Sequence, residues 1–218
     1  MNEDRPSLTA RSVARHRAAH QILDRPPVLA DALALRILEP EDRAAIEADP
    51  TRFERSPIAP YLRAFLAARS HFTEERLAEA VARGLRRYVV LGAGLDTFAY
   101  RNPHRGAGLR VFEVDHPATQ NWKRALLDRA GIAVPPEVTF VPVDFERDSL
   151  ADRLREAGLD RDSPVFFAWL GVSMYLTGEA FESTVRSAAA YAAGSAIAFD
   201  YALSPALHGP VQRLVYEA

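Results

Sequence analysis

Apolar positions along this chain follow two periods, and the change falls at Gly84. Before it, apolar residues recur at three and four among frequent alanines, the spacing of helices with one buried face. The clearest such segment runs from Ile58 to Arg83, with Leu62, Phe65, Leu66, Phe72, Leu77 and Val81 near one face. Gly84 suits the left-handed position that ends a helix. Pro26-Pro27, Pro40 and Pro50 divide the earlier part into short pieces. No internal repeat or low-complexity tract interrupts the pattern.

Beyond Gly84, short β-rich runs alternate with helical ones. Strands are predicted at Tyr88–Leu91, Leu109–Val114, Val138–Val143, Val165–Leu170 and Ala196–Tyr201. Helices are predicted at Pro117–Ala130, Ser149–Ala157 and Gly178–Ala193. Thr177 is placed to cap the last of these, with Glu179 in its first turn. Strands alternating with helices imply crossover units and a parallel, doubly wound sheet. The predicted architecture is α/β: a helical segment over 1–84 covering a Rossmann-like core over 85–218, as one structural unit. Ligands of such sheets sit at the carboxyl ends of the strands, so residues just after each strand carry the functional information.

Composition narrows the classes. The chain has 218 residues, enough for one domain with an appendage and a substantial core. A net charge of −2 offers no bulk attraction to nucleic acid or anionic membrane. No cysteine is present, which excludes disulfides, thiolate zinc sites and a thiol nucleophile. The first twenty residues lack an apolar signal region, and no stretch of 18 apolar residues occurs. A cytoplasmic location is expected. Lys123 is the only lysine, so lysine chemistry is confined to that position. His16 and His20 stand four apart on a predicted helix, a chelating spacing, but no third ligand is near and no metal is expected.

The strand ends hold the candidate chemistry. The first runs into Gly92-Ala93-Gly94, where glycines permit a tight turn and close backbone approach to a ligand. A dinucleotide fingerprint would place a third glycine at position 97, which is Thr, and Asp96 would meet the pyrophosphate with like charge. The second strand ends in Glu113-Val114-Asp115. Both acids lie on one face, and Asp115, nearer the edge, can accept hydrogen bonds from ribose hydroxyls. His116 or Asp115 could also cap the helix at Pro117. The third strand ends in Asp144-Phe145, an acid for an exocyclic amine and a ring for an adenine face. Together these fit an adenosine without phosphate.

The motifs LGAGLDTFAYR, VFEVDHP, VPVDFE and WLGVSMYLT, in that order, resemble S-adenosylmethionine-dependent methyltransferases of the leucine carboxyl methyltransferase type, including bacterial polyketide O-methyltransferases. The likeness extends from about Ser12 to about Tyr201. It implies a class I methyltransferase fold with an N-terminal helical cap and S-adenosyl-L-methionine as cofactor. By the resemblance, Gly92 lies against the methionine part, Gly94 is a further cofactor-binding residue, Asp115 holds the ribose, and Asp144 and Phe145 bind adenine. Arg69 pairs with the cofactor carboxylate, and Arg17 matches a second basic residue of the cap. Two departures stand out. Leu170 replaces a glutamate, and the antiparallel strand pair that closes such sheets is expected to be missing after the fifth strand.

Tyr175 is the catalytic candidate, as an orienting hydroxyl. His116 could serve as a base but reads first as a cap. Asp200 ends the fifth strand and can either face the cleft or make a structural bond. The expected reaction is methyl transfer to an oxygen of a small-molecule carboxylate or phenol, since a carboxylate needs no base. The competing readings are an NAD(P)-dependent oxidoreductase, disfavoured by Thr97, Asp96 and Asp144, and a catalytically silent relative. Oligomeric state is left open by the sequence.

Overall fold

The computed structural model describes residues 7–54 and 57–202. Residues 1–6, 55–56 and 203–218 lie outside it, and with them the outer ends of the 1–84 and 85–218 units. The helical part comprises α1 (Leu8–Leu23), α2 (Pro40–Ala48) and α3 (Ala59–Ala82). The rest alternates β1 (Arg87–Leu91), α4 (Phe98–Arg101), β2 (Arg110–Asp115), α5 (Pro117–Arg129), β3 (Val138–Pro142), α6 (Leu150–Glu156), β4 (Phe166–Trp169), α7 (Gly178–Ala189) and β5 (Ala196–Phe199). Among the described residues the four strand pairings are all parallel, in the order β3-β2-β1-β4-β5. The order reverses beside β1, and in such sheets the crevice for a ligand lies at this switch point, where the chain leaves β1 and β4. The predicted strands and helices lie within two residues of these, except that α7 ends four earlier, at Ala189.

The central strands are buried on both faces, which is why they read as continuous apolar runs. Val89, Leu91, Phe112, Phe167 and Trp169 pack against Leu150 and Leu154 of α6 and Ala188 of α7. Tyr88, Val90, Val111, Phe166 and Ala168 pack against Leu77, Ala80 and Val81 of α3 and Phe98 of α4. Helix ends follow local chemistry. Ser7, Ser149 and Thr177 accept backbone N–H bonds at the starts of α1, α6 and α7. His116, rather than Asp115, caps α5, its Nδ1 accepting from Ala118 at 3.3 Å.

The expected face of α3 is corrected. Leu66, Leu77 and Val81 are buried, but Leu62, Phe65 and Phe72 are exposed at 42, 50 and 55%. The buried stripe runs instead through Ala59, Arg63, Leu66, Ser70, Thr73, Leu77 and Ala80, spaced alternately by four and three. Polar members can be buried because they are satisfied. Thr73 Oγ1 donates to the Arg69 carbonyl at 2.8 Å, and Arg63 pairs with Asp24 and Glu54. Apolar periodicity alone cannot register such a stripe.

Leu77 is fully buried and Phe72 is not. Leu77→Ala is therefore expected to lower unfolding free energy by about 2–5 kcal/mol, and Phe72→Ala by less than about 0.5 kcal/mol. Chemical denaturation of both variants checks this, and comparable losses would refute the assigned face.

Candidate functional site

The site is assembled where β1, β2, β4 and β5 end. The chain leaves β1 into Gly92, whose amide donates to the Val114 carbonyl at 2.8 Å. Gly92 has φ of +68°, and a Cβ there would stand 2.2 Å from Val172 Cγ2. Only glycine permits this approach between the loops after β1 and β4. Gly94 follows, its amide donating to Asp115 Oδ2 at 2.5 Å, while the His116 amide donates to Asp115 Oδ1 at 2.7 Å. Asp115 thus ties the end of β2 to the glycine turn and keeps lone pairs for a ligand. Burial pushes its carboxyl above the usual carboxylate range, against the pull of these amides and Lys123.

Behind the turn, Asp96 and Thr97 belong to a buried polar network. Arg17 of α1 donates to Asp96 Oδ2 and Asp31 Oδ2, each at 2.7 Å, and to Thr97 Oγ1 at 3.1 Å. Thr97 Oγ1 donates to Asp31 at 2.6 Å, and Arg101 pairs with Glu74 of α3. Thr97 is 1% exposed, so the position a dinucleotide fingerprint gives to glycine is filled by a locked side chain. Arg17 is consumed here, which gives the second basic residue of the cap a structural partner set. Asp31 carried no sequence signal; it stands in an irregular stretch and meets Arg17 only through the fold. Burial would raise the Asp96 carboxyl, but Arg17, Lys123 and Arg101 outweigh it and hold it at about 2.

Beneath β2, Glu113 and Lys123 are each 1% exposed and paired at 2.8 Å. Tyr100 donates to Glu113 at 2.8 Å. Burial raises the Glu113 carboxyl, opposed by Lys123, and burial beside Glu113 raises the Tyr100 phenol. Glu113 is therefore occupied below the site, and Asp115 is the acid at its edge.

On the opposite wall, Arg69 of α3 ion-pairs with Asp200, just past β5. The guanidinium lies over Gly171, where a Cβ would be 2.9 Å from Nη2. The Gly171 amide donates to Asp200 Oδ1 at 2.6 Å, and Ser173 Oγ to the Asp200 carbonyl at 2.6 Å. Arg69 Nε is buried without a hydrogen-bond partner among the described residues. After β3, Asp144 accepts from the Glu146 amide at 3.0 Å, and Phe145 packs against the core under the sheet edge. An open depression of about 440 Å³ beside Asp144 is lined by His116, Ala118, Asn121 and Arg147. Tyr175 lies on a short turn, Ser173–Tyr175, and is 64% exposed. Gly92, Gly94 and Asp115 are thus joined where β1 and β2 end, Arg69 stands over the loop after β4, Asp144 shares a depression with His116, Phe145 packs against the core, and Tyr175 stands on the loop after β4.

His16 and His20 serve α1 locally. His16 Nδ1 bonds the Ser12 carbonyl, and His20 links Asp24 to the Leu29 amide. Among the described residues, no group of three or more His, Cys, Asp or Glu is placed to hold a metal, and no helix is long and apolar enough to cross a membrane.

Fold and crevice define a doubly wound α/β protein with an acid-and-glycine strand-end site. The leucine carboxyl methyltransferase family model matches residues 10–189. Bacillus subtilis YktD, a candidate S-adenosyl-L-methionine-dependent methyltransferase, is 32% identical over 93% of this chain and 73% of its own. A Mycolicibacterium paratuberculosis protein of the same description is 40% identical over 54% of this chain and 37% of its own. In fold, the chain is similar to the crystal structure of a candidate methyltransferase from Thermobifida fusca, with a TM-score of 0.60 at 18% identity over 99% of this chain and 73% of that one. A DUF574 protein from Streptomyces avermitilis gives 0.57 at 20% identity, over 90% and 69%. The chain belongs to the leucine carboxyl methyltransferase family.

Asp96 sits at about 2 in the fold, against about 3.9 in an unfolded chain. A lowered carboxyl stabilises the fold above the unfolded value, and that contribution fades as pH falls toward 2, by about 2 kcal/mol in all. The stability gap between wild type and Asp96→Asn should therefore narrow between pH 4 and pH 2. A gap constant across urea titrations at pH 5, 4, 3 and 2.5 would show that Asp96 is not held ionised.

Proposed function

We propose that this protein transfers a methyl group from S-adenosyl-L-methionine to an oxygen of a small cytoplasmic metabolite, a carboxylate in preference to a phenol. Family membership makes it a methyltransferase, and its curated relatives are described as dependent on S-adenosyl-L-methionine. The observation that supports the cofactor assignment most directly is Asp115, held at the end of β2 by the Gly94 and His116 amides with acceptor capacity left beyond those two bonds. The donor set fits the cofactor in charge as well. Asp115 suits a ribose diol, Asp144 an exocyclic adenine amine, and Arg69, whose Nε has no partner among the described residues, a carboxylate. A nicotinamide dinucleotide fits poorly, since Asp96 and the locked Thr97 occupy its pyrophosphate position.

The cofactor supplies an activated methyl group on a sulfonium. The protein's task is to align an acceptor with it and exclude water. Asp115 fixes one end of the crevice, and Arg69, beneath Phe65, fixes the other. Tyr175, on the flexure after β4, would orient the acceptor through its hydroxyl. A carboxylate acceptor is ionised at neutral pH and asks no base of the protein. That agrees with the residues around the crevice, where His116 is engaged as the α5 cap.

Calorimetric titration with S-adenosylmethionine, S-adenosylhomocysteine and NADH tests the cofactor. The first two should bind and NADH should not. Asp115→Ala should weaken S-adenosylmethionine by about 1–3 kcal/mol, the value of charge-assisted hydrogen bonds; unchanged affinity in the folded variant would remove Asp115 from the site. For the acceptor, the rate should stay flat from about pH 6 to 8, because a carboxylate titrates near pH 4. Label from methyl-tritiated cofactor should be released by mild alkali as from an ester. Alkali-stable label would identify an ether and a phenolic acceptor. Absence of transfer across a panel of acids and phenols would favour the silent relative.

A further inference from the structure

We propose that Asp200 is a second cofactor-binding residue: it holds the ammonium of the cofactor's amino-acid end while Arg69 holds the carboxylate. This rests on the S-adenosylmethionine reading above and completes it at the methionine end of the crevice. The loop after β4, Leu170-Gly171-Val172-Ser173, supplies no acid. Asp200 brings one to it from the end of β5, bonded through Oδ1 to the Gly171 amide and paired through Oδ2 with Arg69. Ser173 Oγ fixes the backbone of the same residue at 2.6 Å. The acid is thus positioned from three sides, and its side chain is 10% exposed. Gly92 touches Val172, the residue beside Gly171, so this pair stands against the glycine turn that opens the crevice.

Charge balance explains why a buried guanidinium and a buried carboxylate should face each other there. Each is costly to bury alone, and together they neutralise the wall. An amino-acid zwitterion carries the same two charges. Inserting it exchanges one internal ion pair for two intermolecular ones, carboxylate to Arg69 and ammonium to Asp200, and leaves no charge uncompensated. Hydrogen-bond capacity agrees. A carboxylate has about four acceptor positions, whereas among the described residues the Asp200 carboxylate has two partners, the Gly171 amide and Arg69. Arg69 Nε has no hydrogen-bond partner among the described residues. The opposite possibility is that Asp200 imitates the cofactor carboxylate and competes with it for Arg69, in which case removing its charge would tighten binding.

Four thioadenosines separate these outcomes by calorimetry on the full chain: S-adenosylhomocysteine, its 3-aminopropyl analogue without the carboxylate, its 3-carboxypropyl analogue without the ammonium, and 5′-methylthioadenosine without either. Asp200→Asn keeps an oxygen for the Gly171 amide but loses the charge. It should weaken S-adenosylhomocysteine and the aminopropyl analogue about ten- to a hundred-fold. It should leave 5′-methylthioadenosine unchanged and bind the carboxypropyl analogue at least as tightly as wild type. Arg69→Gln should show the mirror pattern, losing affinity for S-adenosylhomocysteine and the carboxypropyl analogue. Tighter binding of S-adenosylhomocysteine to Asp200→Asn would overturn the proposal in favour of competition. Equal losses for all four ligands would reduce Asp200 to a support of the loop. Failure of the wild type to bind any of the four, 5′-methylthioadenosine included, would instead overturn the cofactor reading itself.

Discussion

The guanidinium of Arg17, bridging Asp31 and Asp96 at 2.7 Å each, is the contact on which the arrangement of the crevice depends. It joins α1 to the turn after β1 and to the irregular chain between α1 and α2. Asp96 also accepts the Phe98 amide at 2.7 Å, so the same acid sets the start of α4. Arg101, at the other end of α4, reaches Glu74 on α3. Helices far apart in sequence are thereby fastened to one short turn. Removing Arg17 would leave Asp31 and Asp96 short of a cation, at a cost of about 3–5 kcal/mol. The helical cover therefore has a defined seat on the sheet. Arg69 inherits its position from that seat, since α3 carries it over Gly171.

A second polar layer works from below. Lys123 and Glu113, with Tyr100, place full charges under β2 where apolar packing would otherwise continue. Such a pair contributes little net stability against hydrophobic replacements. What it does provide is a fixed register between β2, α4 and α5, and a cation whose field reaches both Asp96 and Asp115. The crevice is thus bounded by ionised groups whose partners are fixed before any ligand arrives. Such preorganisation keeps reorientation during binding small.

The sheet was legible because parallel strands buried on two faces leave uninterrupted apolar runs, and because Gly84, Thr177 and the prolines mark element ends. Asp115 and Gly94 were legible because strand-end position alone brings them together in a doubly wound fold. The face of α3 was not, since Arg63, Ser70 and Thr73 are buried through specific partners, and hydropathy scores them as exposed. Asp31 was invisible for a related reason. Its role depends on Arg17 and Thr97, 14 and 66 residues away, and neither spacing follows from a local period. Asp200 stood between: its place at the end of β5 allowed either the cleft or a structural bond, and its partner on α3 lies 131 residues earlier.

The burial of Lys123 has a practical corollary. It is the only lysine in the chain and is 1% exposed beneath β2. The folded surface draws its positive charge from guanidinium groups, which acylating reagents leave alone at neutral pH. Succinimidyl dyes, glutaraldehyde fixation and amine-directed cross-linkers will find almost nothing to attack on the described surface while β2 and α5 stay together. An introduced thiol gives a defined point of attachment for a support or a fluorophore, and the cysteine-free sequence offers a clean background for it.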